Sequence, residues 1–357
     1  MTILWYNLAV VFTLSFLSRL SATYVQKPNT VLPIKPNKLL VFGTIMTLVM
    51  VSGLRTNIGD TYFYRHSYEI TNFTWDYIKS EKDLGFGLLQ MLLKMISTDP
   101  QLLIFTTALI TNLLIVLVLY KYSRLLEISL YVYITSGLFL VSMNGIRQFL
   151  AAAIIFAATK YILDGSWKKF FLVVIVASTF HQSALVFIPI YFLVRSKAWT
   201  KTTISLLLVA VILVIGYNQF TELLFTVIGE SQYGNYRNFT EQGANKFRIA
   251  VYGAPLIIAY LGREKLRLLF PKSDYIVNLS LLNVVFMIIA SQNWIFARFT
   301  IYFGLYQLIL VAWVIKLFRE KDQKLIYFAL LVCYLIYFYY EHVISLNIIY
   351  RSNFFSF

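Results

Sequence analysis

The chain carries few of the charged residues that cover a soluble protein. Only 13% of its 357 residues are charged, whereas about a quarter are charged in an average soluble domain. Acidic residues are the scarcer kind, with 16 Asp and Glu against 31 Lys and Arg. The single cysteine, Cys333, excludes an internal disulfide and is expected to pack within its apolar run.

Motifs for metal binding and nucleotide hydrolysis are also missing. There is no Asp-x-Asp pair, no His-Glu-x-x-His and no GxxxxGK phosphate loop. The acidic runs Glu81-Lys82-Asp83 and Glu320-Lys321-Asp322 interleave lysine and are interpreted as ordinary loops. We therefore expect no metal and no cofactor, and the basic excess indicates membrane topology rather than nucleic-acid binding.

Apolar residues dominate what remains. They make up 59% of the chain, and its mean hydropathy is +0.71. A helix needs roughly 20 apolar residues to cross a bilayer. The sequence therefore predicts an all-α polytopic membrane protein, a single integral membrane domain over residues 1–357 with about 12 transmembrane segments. These segments are predicted at residues 3–20, 39–54, 101–120, 126–143, 146–163, 168–180, 183–195, 202–219, 247–262, 276–291, 297–317 and 324–342.

Charge in the connecting loops predicts which side each loop occupies. Segment 55–100 has five Lys and Arg against six Asp and Glu, and segment 220–248 has three of each, so both are placed outside. Both termini then lie outside, although the last 15 residues are apolar enough to re-enter the membrane. Residues 85–97 are predicted to form an amphipathic helix at the interface. The loops placed inside by their Lys and Arg are 19–38, 121–124, 164–169, 195–201, 263–272 and 316–324.

Residues 168–195 allow two interpretations. They form either one long helix with basic residues at both ends, or two short helices joined by a tight turn at residues 178–183. The turn is favoured because it keeps the later basic loops on one side.

Unusual polar residues then fall at the outer ends of several helices. Arg55, Arg147, His181 and Arg298 occupy such positions. Charged groups at membrane depth usually face a bundle interior or a watery cavity, although a single arginine could simply snorkel to the interface. Spacing adds polar neighbours on the same helix faces, namely Asn144 and Gln148 beside Arg147, and Tyr302 beside Arg298. Asp60 could pair with Arg55 or Arg147.

Several arginines together favour a phosphate ligand. The planar guanidinium grips phosphate with two hydrogen bonds and stays charged when partly buried. A phosphate or pyrophosphate at the outer membrane boundary is the natural candidate, and lipid-linked glycans carry that group at that depth.

The two stretches that contain these residues resemble a known family. VSGLRTNIGDTYFY and SMNGIRQFLAAAIIFAATKYILDGSWKKFFLVVIVASTFHQSALVFIPIYF resemble the EpsG-type branch of the Wzy-like exopolysaccharide polymerases. The resemblance in order and spacing covers residues 38–195. Carried over by position, the motif residues are Arg55, Asp60, Asn144, Arg147, Gln148 and His181, together with Arg298.

The resemblance implies a C-type glycosyltransferase-like bundle without a metal. Such a bacterial enzyme joins repeat units carried on undecaprenyl pyrophosphate, at the outer face of the cytoplasmic membrane. We expect Arg147 and Arg298 to hold pyrophosphate, with Arg55 as helper. His181 is the expected general base, because a neutral imidazole accepts a proton near pH 7. Asp60 and Glu230 are the other carboxylate candidates.

Two other functions remain open. A flippase for lipid-linked oligosaccharide would also line a path with arginines, but its polar residues should gather at the bilayer midplane. A glycan ligase would use the same donor. The expected partners are the lipid-linked oligosaccharide, the bilayer, a flippase and a chain-length regulator, and no nucleic acid.

The predicted topology can be tested by cysteine labelling in intact cells. Asp60→Cys and Asn235→Cys should react with an impermeant thiol reagent, whereas Leu266→Cys should not, because basic loops stay inside. Labelling at 266 together with protection at 60 would contradict an outward-facing site.

Overall fold

The computed structural model describes residues 1–24, 34–216 and 243–355. The first helices are α1 (Thr2–Leu20), α2 (Lys38–Gly53), α3 (Thr61–Ile70), α4 (Trp75–Ser80), α5 (Leu84–Ile96) and α6 (Gln101–Tyr122), with a short antiparallel pair, β1 (Thr23–Tyr24) and β2 (Ile34–Lys35), between α1 and α2. The chain continues with α7 (Leu126–Thr135), α8 (Leu138–Asn144), α9 (Ile146–Ala157), α10 (Thr159–Asp164), α11 (Trp167–Phe180), the 3₁₀ turn Gln182–Val186, α12 (Phe187–Val194) and α13 (Lys201–Ile215).

After residue 242 the helices are α14 (Phe247–Leu261), α15 (Arg263–Leu269), α16 (Ser273–Ala290), α17 (Ala297–Val314) and α18 (Glu320–Phe338), which continues as a π-helix over Tyr339–Ser345. Two 3₁₀ turns, Trp294–Phe296 and Ile315–Leu317, flank α17. Each of the predicted helical segments has a helical counterpart, so the prediction of an all-α membrane protein is confirmed.

The count of twelve spans is not confirmed. In the described part of the chain, five helices are long and apolar enough to cross a membrane, or six if the bent pair α7 and α8 is one span. The angle between α7 and α8 is 56°, and the bend lies at Gly137. Gly137 has a φ of +87°, a backbone conformation that glycine adopts without strain. Helices such as α9 are short: at 1.5 Å per residue, its 12 residues cover only about 18 Å of a roughly 30 Å core.

The described chain divides into two compact units, Met1–Phe192 with Val311–Phe357, and Leu193–Leu310. In the first unit, α1 packs on α2 and α7, α2 on α6, and α6 and α11 on α9. In the second unit, α16 contacts α13 and α14. Buried amides join the second unit's helices, since Asn283 donates to Gln307 at 2.5 Å and Gln307 donates to the Tyr252 carbonyl at 2.7 Å.

Loops predicted to share a side meet at one end of the first unit, which we call the basic end. There, Arg19 pairs with Glu127 at 2.7 Å, and the Tyr120 hydroxyl donates to the Pro36 carbonyl at 3.3 Å. Trp313, near the loop at 316–324, donates to the Tyr122 carbonyl at 2.8 Å. These contacts bring together three of the loops that the charge count assigned to the inside.

The opposite end of the first unit carries Arg55, Arg147 and the turn at 181–183, and we call it the site end. The C-terminal stretch also lies here. The Thr56 N–H donates to the Arg351 carbonyl at 2.9 Å, and the Tyr350 hydroxyl donates to the Val51 carbonyl at 2.8 Å. The last described residues therefore pack beside the end of α2.

The outer segment 55–100 is held on this end by its own apolar cluster. Tyr68 and Phe73 pack with Phe86 and Leu93 of α5 against the start of α6. The opposite face of α5 exposes apolar side chains such as Leu88 and Leu92. The predicted helix at 85–97 is confirmed, and its place at the membrane interface stays a prediction.

The turn within 168–195 is confirmed. α11 ends at Phe180, and the chain returns through the 3₁₀ turn into α12. Aromatic rings join the two arms: the centroids of Phe170 and Tyr191 lie 5.2 Å apart, and those of Phe171 and Phe192 lie 5.9 Å apart. Cys333, in contrast, is exposed on α18, so the expectation that it packs inside is wrong.

We expect Phe170→Ala to open this hairpin. Phe170 is fully buried, and its truncation should lower the free energy of unfolding by about 3–5 kcal/mol. Leu172→Ala on the same helix is the matched control, because Leu172 is 64% exposed. Thermal unfolding in detergent measures both, and equal losses in the two variants would contradict the packing described.

Candidate functional site

Arg147 begins α9 at the site end and pairs with Asp83. Its Nη1 lies 2.9 Å from Asp83 Oδ2, and the side chains are 40% and 6% exposed. The guanidinium carbon also lies 5.9 Å from the ring centroid of Tyr64 and 5.8 Å from that of Phe86. An ion pair and two aromatic rings thus fix the direction of the guanidinium.

Asp83 accepts a second bond from the hairpin turn. The backbone N–H of Gln182 donates to Asp83 Oδ1 at 3.3 Å. Burial raises the pKa of the Asp83 carboxyl, and the positive charge of Arg147 opposes that rise. One carboxylate therefore joins α5, α9 and the turn after α11.

Gln148, the neighbour of Arg147, reaches the same turn by another route. Its Nε2 lies 3.5 Å from the hydroxyl of Ser183, and that hydroxyl lies 2.7 Å from Nδ1 of His181. The Ser183 N–H also donates to the same ring nitrogen at 3.4 Å. Both residues thus connect α9 to this turn, Arg147 through Asp83 and Gln148 through Ser183.

Close packing at Gly85 brings α5 onto α11. A Cβ added at Gly85 would collide with the Thr179 side chain. The missing side chain therefore lets Asp83, two residues earlier, come near the turn.

Asn144 and Asp60 meet directly. The Asn144 Oδ1 accepts the backbone N–H of Asp60 at 2.9 Å. This contact requires Gly59, which has a φ of +52° and where a Cβ would collide with the Asn144 side chain. Asp60 was expected to pair with Arg55 or Arg147, and in the structure the carboxylate that pairs with Arg147 is that of Asp83.

These contacts surround a cavity of about 270 Å³, which we call the Arg147 cavity. Its wall includes Arg147, three carboxylates and two phenols. These residues are Asp60, Glu81, Asp83, Tyr64 and Tyr77. Nε of Arg147 is buried and has no hydrogen-bond partner among the described residues. A ligand in the cavity would instead meet the exposed part of the guanidinium, since the side chain as a whole is 40% exposed.

The wall does not resemble a metal site. No three His, Cys, Asp or Glu side chains in the described ranges are close enough together to hold an ion. The mixture of carboxylates, phenols and one guanidinium suits a ligand that carries hydroxyls and an anionic group.

Arg55 lies at the same end but is 1% exposed. Its Nε donates to the Thr61 hydroxyl at 3.0 Å, its Nη2 donates to the Met143 carbonyl at 2.7 Å, and its Nη1 donates to the Ser52 carbonyl. With its donors used by the protein, Arg55 ties α2, α3 and α8 together. This geometry favours a positioning role over direct contact with pyrophosphate.

Arg298 and Tyr302 belong to the second unit, where the Arg298 guanidinium stacks 5.2 Å from the Trp294 ring and Tyr302 is 1% exposed. Their place in the same site as Arg147 stays a prediction. Glu230 lies outside the described residues.

Asp83 is the site residue that the sequence interpretation missed. It stands beside Glu81 and Lys82, a pattern typical of a solvated loop. It is also the residue before a helix, where an aspartate normally caps the first turn. In the structure its side chain makes no capping bond, because both oxygens serve Arg147 and Gln182 instead. The sequence signal that could have identified Asp83 was an acidic residue directly before the amphipathic pattern of residues 84–96.

A family model for the EpsG family matches residues 38–355. The match covers nearly the whole chain, including the last third that the quoted motifs did not reach, and the chain belongs to that family. Membership suggests an exopolysaccharide-related polymerase of a glycosyltransferase-like kind. Neither the curated proteins nor the solved structures contain a significant match.

The role of Arg55 can be separated from ligand binding. Arg55→Ala would remove the hydrogen bonds from Arg55 to the buried carbonyls of Ser52 and Met143, at about 1.5–3 kcal/mol each for bonds from a charged group, so the unfolding midpoint should fall clearly. Arg65→Ala is the matched control, since Arg65 is only partly buried and donates to one side chain, that of Gln101, among the described residues. Unchanged stability of Arg55→Ala together with lost donor binding would instead assign Arg55 to the ligand.

Proposed function

We propose that the chain polymerises oligosaccharide repeat units carried on undecaprenyl pyrophosphate, at the outer face of the bacterial cytoplasmic membrane. The observation that carries this proposal is the Arg147 cavity, in which a fixed and partly exposed guanidinium lies among carboxylates and phenols. Membership of the EpsG family agrees with it.

The reaction would exchange one bond at an anomeric carbon for another. The bond from that carbon to the pyrophosphate oxygen breaks, and its electron pair leaves with undecaprenyl pyrophosphate. A hydroxyl oxygen of the acceptor unit forms the new bond, and its proton passes to a base. Positive charge fixed beside the leaving group stabilises the transition state, which is the role we propose for Arg147. Arg298 is the proposed second cation from the other unit.

Three groups are candidates for the base. His181 is the candidate from the sequence, and its Nδ1 is engaged by Ser183. Asp83 is the candidate that the geometry adds, because it lines the cavity and burial makes its carboxylate more basic than an ordinary aspartate. Asp60 also lines the cavity, and we propose it as an acceptor of sugar hydroxyl hydrogen bonds. Glu230 stays a candidate from the sequence alone.

Arg147 variants should separate charge from geometry. Arg147→Lys keeps the positive charge but loses the planar fork, so the protein should insert normally and bind donor weakly, and Arg147→Ala should be worse. Polymer length and donor affinity with a purified lipid-linked repeat unit measure this. Arg65→Lys, in the same outer segment but not in the cavity wall, is the control. Full-length polymer from Arg147→Lys would reduce the arginine to an interface anchor.

The base can be identified from pH profiles of single turnovers. If Asp83 accepts the proton, activity should fall as the pH drops through its carboxyl pKa, which burial raises above the usual value. Asp83→Asn, whose amide oxygen can still accept a hydrogen bond from Arg147, should then abolish turnover, whereas His181→Ala should retain turnover. Asp76→Asn, on the exposed part of the outer segment, is the control. The reverse pattern would assign the proton to His181.

Activity should survive a chelator, because the proposed leaving-group stabilisation comes from arginine. The measurement is polymer formation by purified protein before and after EDTA. Complete loss that magnesium or manganese restores would contradict the scheme.

A further inference from the structure

A second cavity lies at the basic end of the first unit, opposite the site end. It is an open cavity of about 300 Å³ where the end of α1 meets the start of α18. We propose that this cavity, which we call the Lys316 pocket, binds the phosphate of an anionic phospholipid headgroup.

The charge of the pocket favours an anion. Arg19, Lys316 and Lys324 line it, and in the described part of the chain no acidic side chain does. Lys316 donates to Gln323 at 2.9 Å, which points its ammonium group toward this wall. Lys324 is exposed and has no ion pair among the described residues. Three cationic side chains therefore line one space.

Arg19 is held in position by a buried carboxylate and an aromatic ring. Its Nε donates to Glu127 at 2.7 Å, and Glu127 is fully buried and also accepts from the Tyr327 hydroxyl at 3.3 Å. The guanidinium lies 5.4 Å from the Phe16 ring centroid. Glu127 accepts from Nε of Arg19, and the two terminal NH₂ groups of the guanidinium are left for a ligand. A guanidinium fixed in this way can bind a phosphate with two hydrogen bonds.

The surroundings favour a lipid as the source of that phosphate. The spans that form the pocket, α1 and the helix Glu320–Ser345, are only 33% and 28% buried, against 56–89% for the other three long spans. Their outer faces are therefore free to contact lipid, and Phe16 and Phe328 give the pocket an apolar rim. Basic pockets between spanning helices on the cytoplasmic side are suited to anionic headgroups.

The test uses the full-length protein in detergent. Phosphatidylglycerol, phosphatidylcholine with the same acyl chains, and inorganic phosphate are added separately, and native mass spectrometry and the unfolding midpoint are recorded. We expect phosphatidylglycerol to be retained and to raise the midpoint, and the other two to do neither at the same concentration. Lys316→Gln with Lys324→Gln should weaken phosphatidylglycerol binding by about 30-fold, or about fivefold for each lysine.

In Lys316→Gln the new side chain can still form a hydrogen bond with Gln323. The single variant Lys324→Gln changes only an exposed residue, so this variant is expected to fold normally. Lys321→Gln, on the same helix but outside the pocket wall, is the control and should bind as the unchanged protein. Equal retention of the two lipids, wild-type binding by the double variant, an equal loss in the control, or protection by inorganic phosphate without lipid binding would each overturn the proposal.

Discussion

The ion pair between Arg147 and Asp83 fixes how the outer segment sits on the helical bundle. A guanidinium at the head of an apolar helix is costly unless it faces water or a partner. Here the partner lies directly before α5, and the same carboxylate accepts the Gln182 N–H. A single buried acid therefore sets the positions of α5, α9 and the hairpin turn. The cavity between them is a consequence of that arrangement.

At both ends of the first unit an arginine is held by the same kind of ion pair, but the surroundings of the two arginines differ. At each end an arginine is anchored by a mostly or fully buried carboxylate, Asp83 for Arg147 and Glu127 for Arg19. At each end the guanidinium also rests near an aromatic ring. The walls differ, however: carboxylates and phenols surround Arg147, whereas lysines accompany Arg19. The site end is thus suited to a ligand rich in hydroxyls, and the basic end is suited to a simple anion.

Much of the helical organisation could be predicted from the sequence, because apolar runs and basic loops are local signals. The turn at 178–183 was found in this way, and so was the grouping of residues 144–148 with the outer segment. The number of spans is not confirmed, since five or six helices in the described part of the chain pass a test of length and composition, and the predicted span 126–143 is bent at Gly137. Arg55 was expected to help hold pyrophosphate, and its buried surroundings supply protein acceptors for three of its N–H groups, which favours a positioning role.

The sequence by itself determined the all-α membrane class, through its scarcity of charge and its long apolar runs, and it contained the residues that identify the EpsG family. Which acid neutralises Arg147 was decided only by the tertiary structure. Asp60 and Asp83 are both short acidic side chains in the same outer segment, and nothing in their local sequence ranks one above the other. Packing of α5 on α11, where Gly85 passes close to Thr179, brings Asp83 within hydrogen-bond distance of Arg147. The Asp60 backbone is instead bonded to Asn144, because a long-range ion pair depends on where whole helices pack and not on the spacing of residues along the chain.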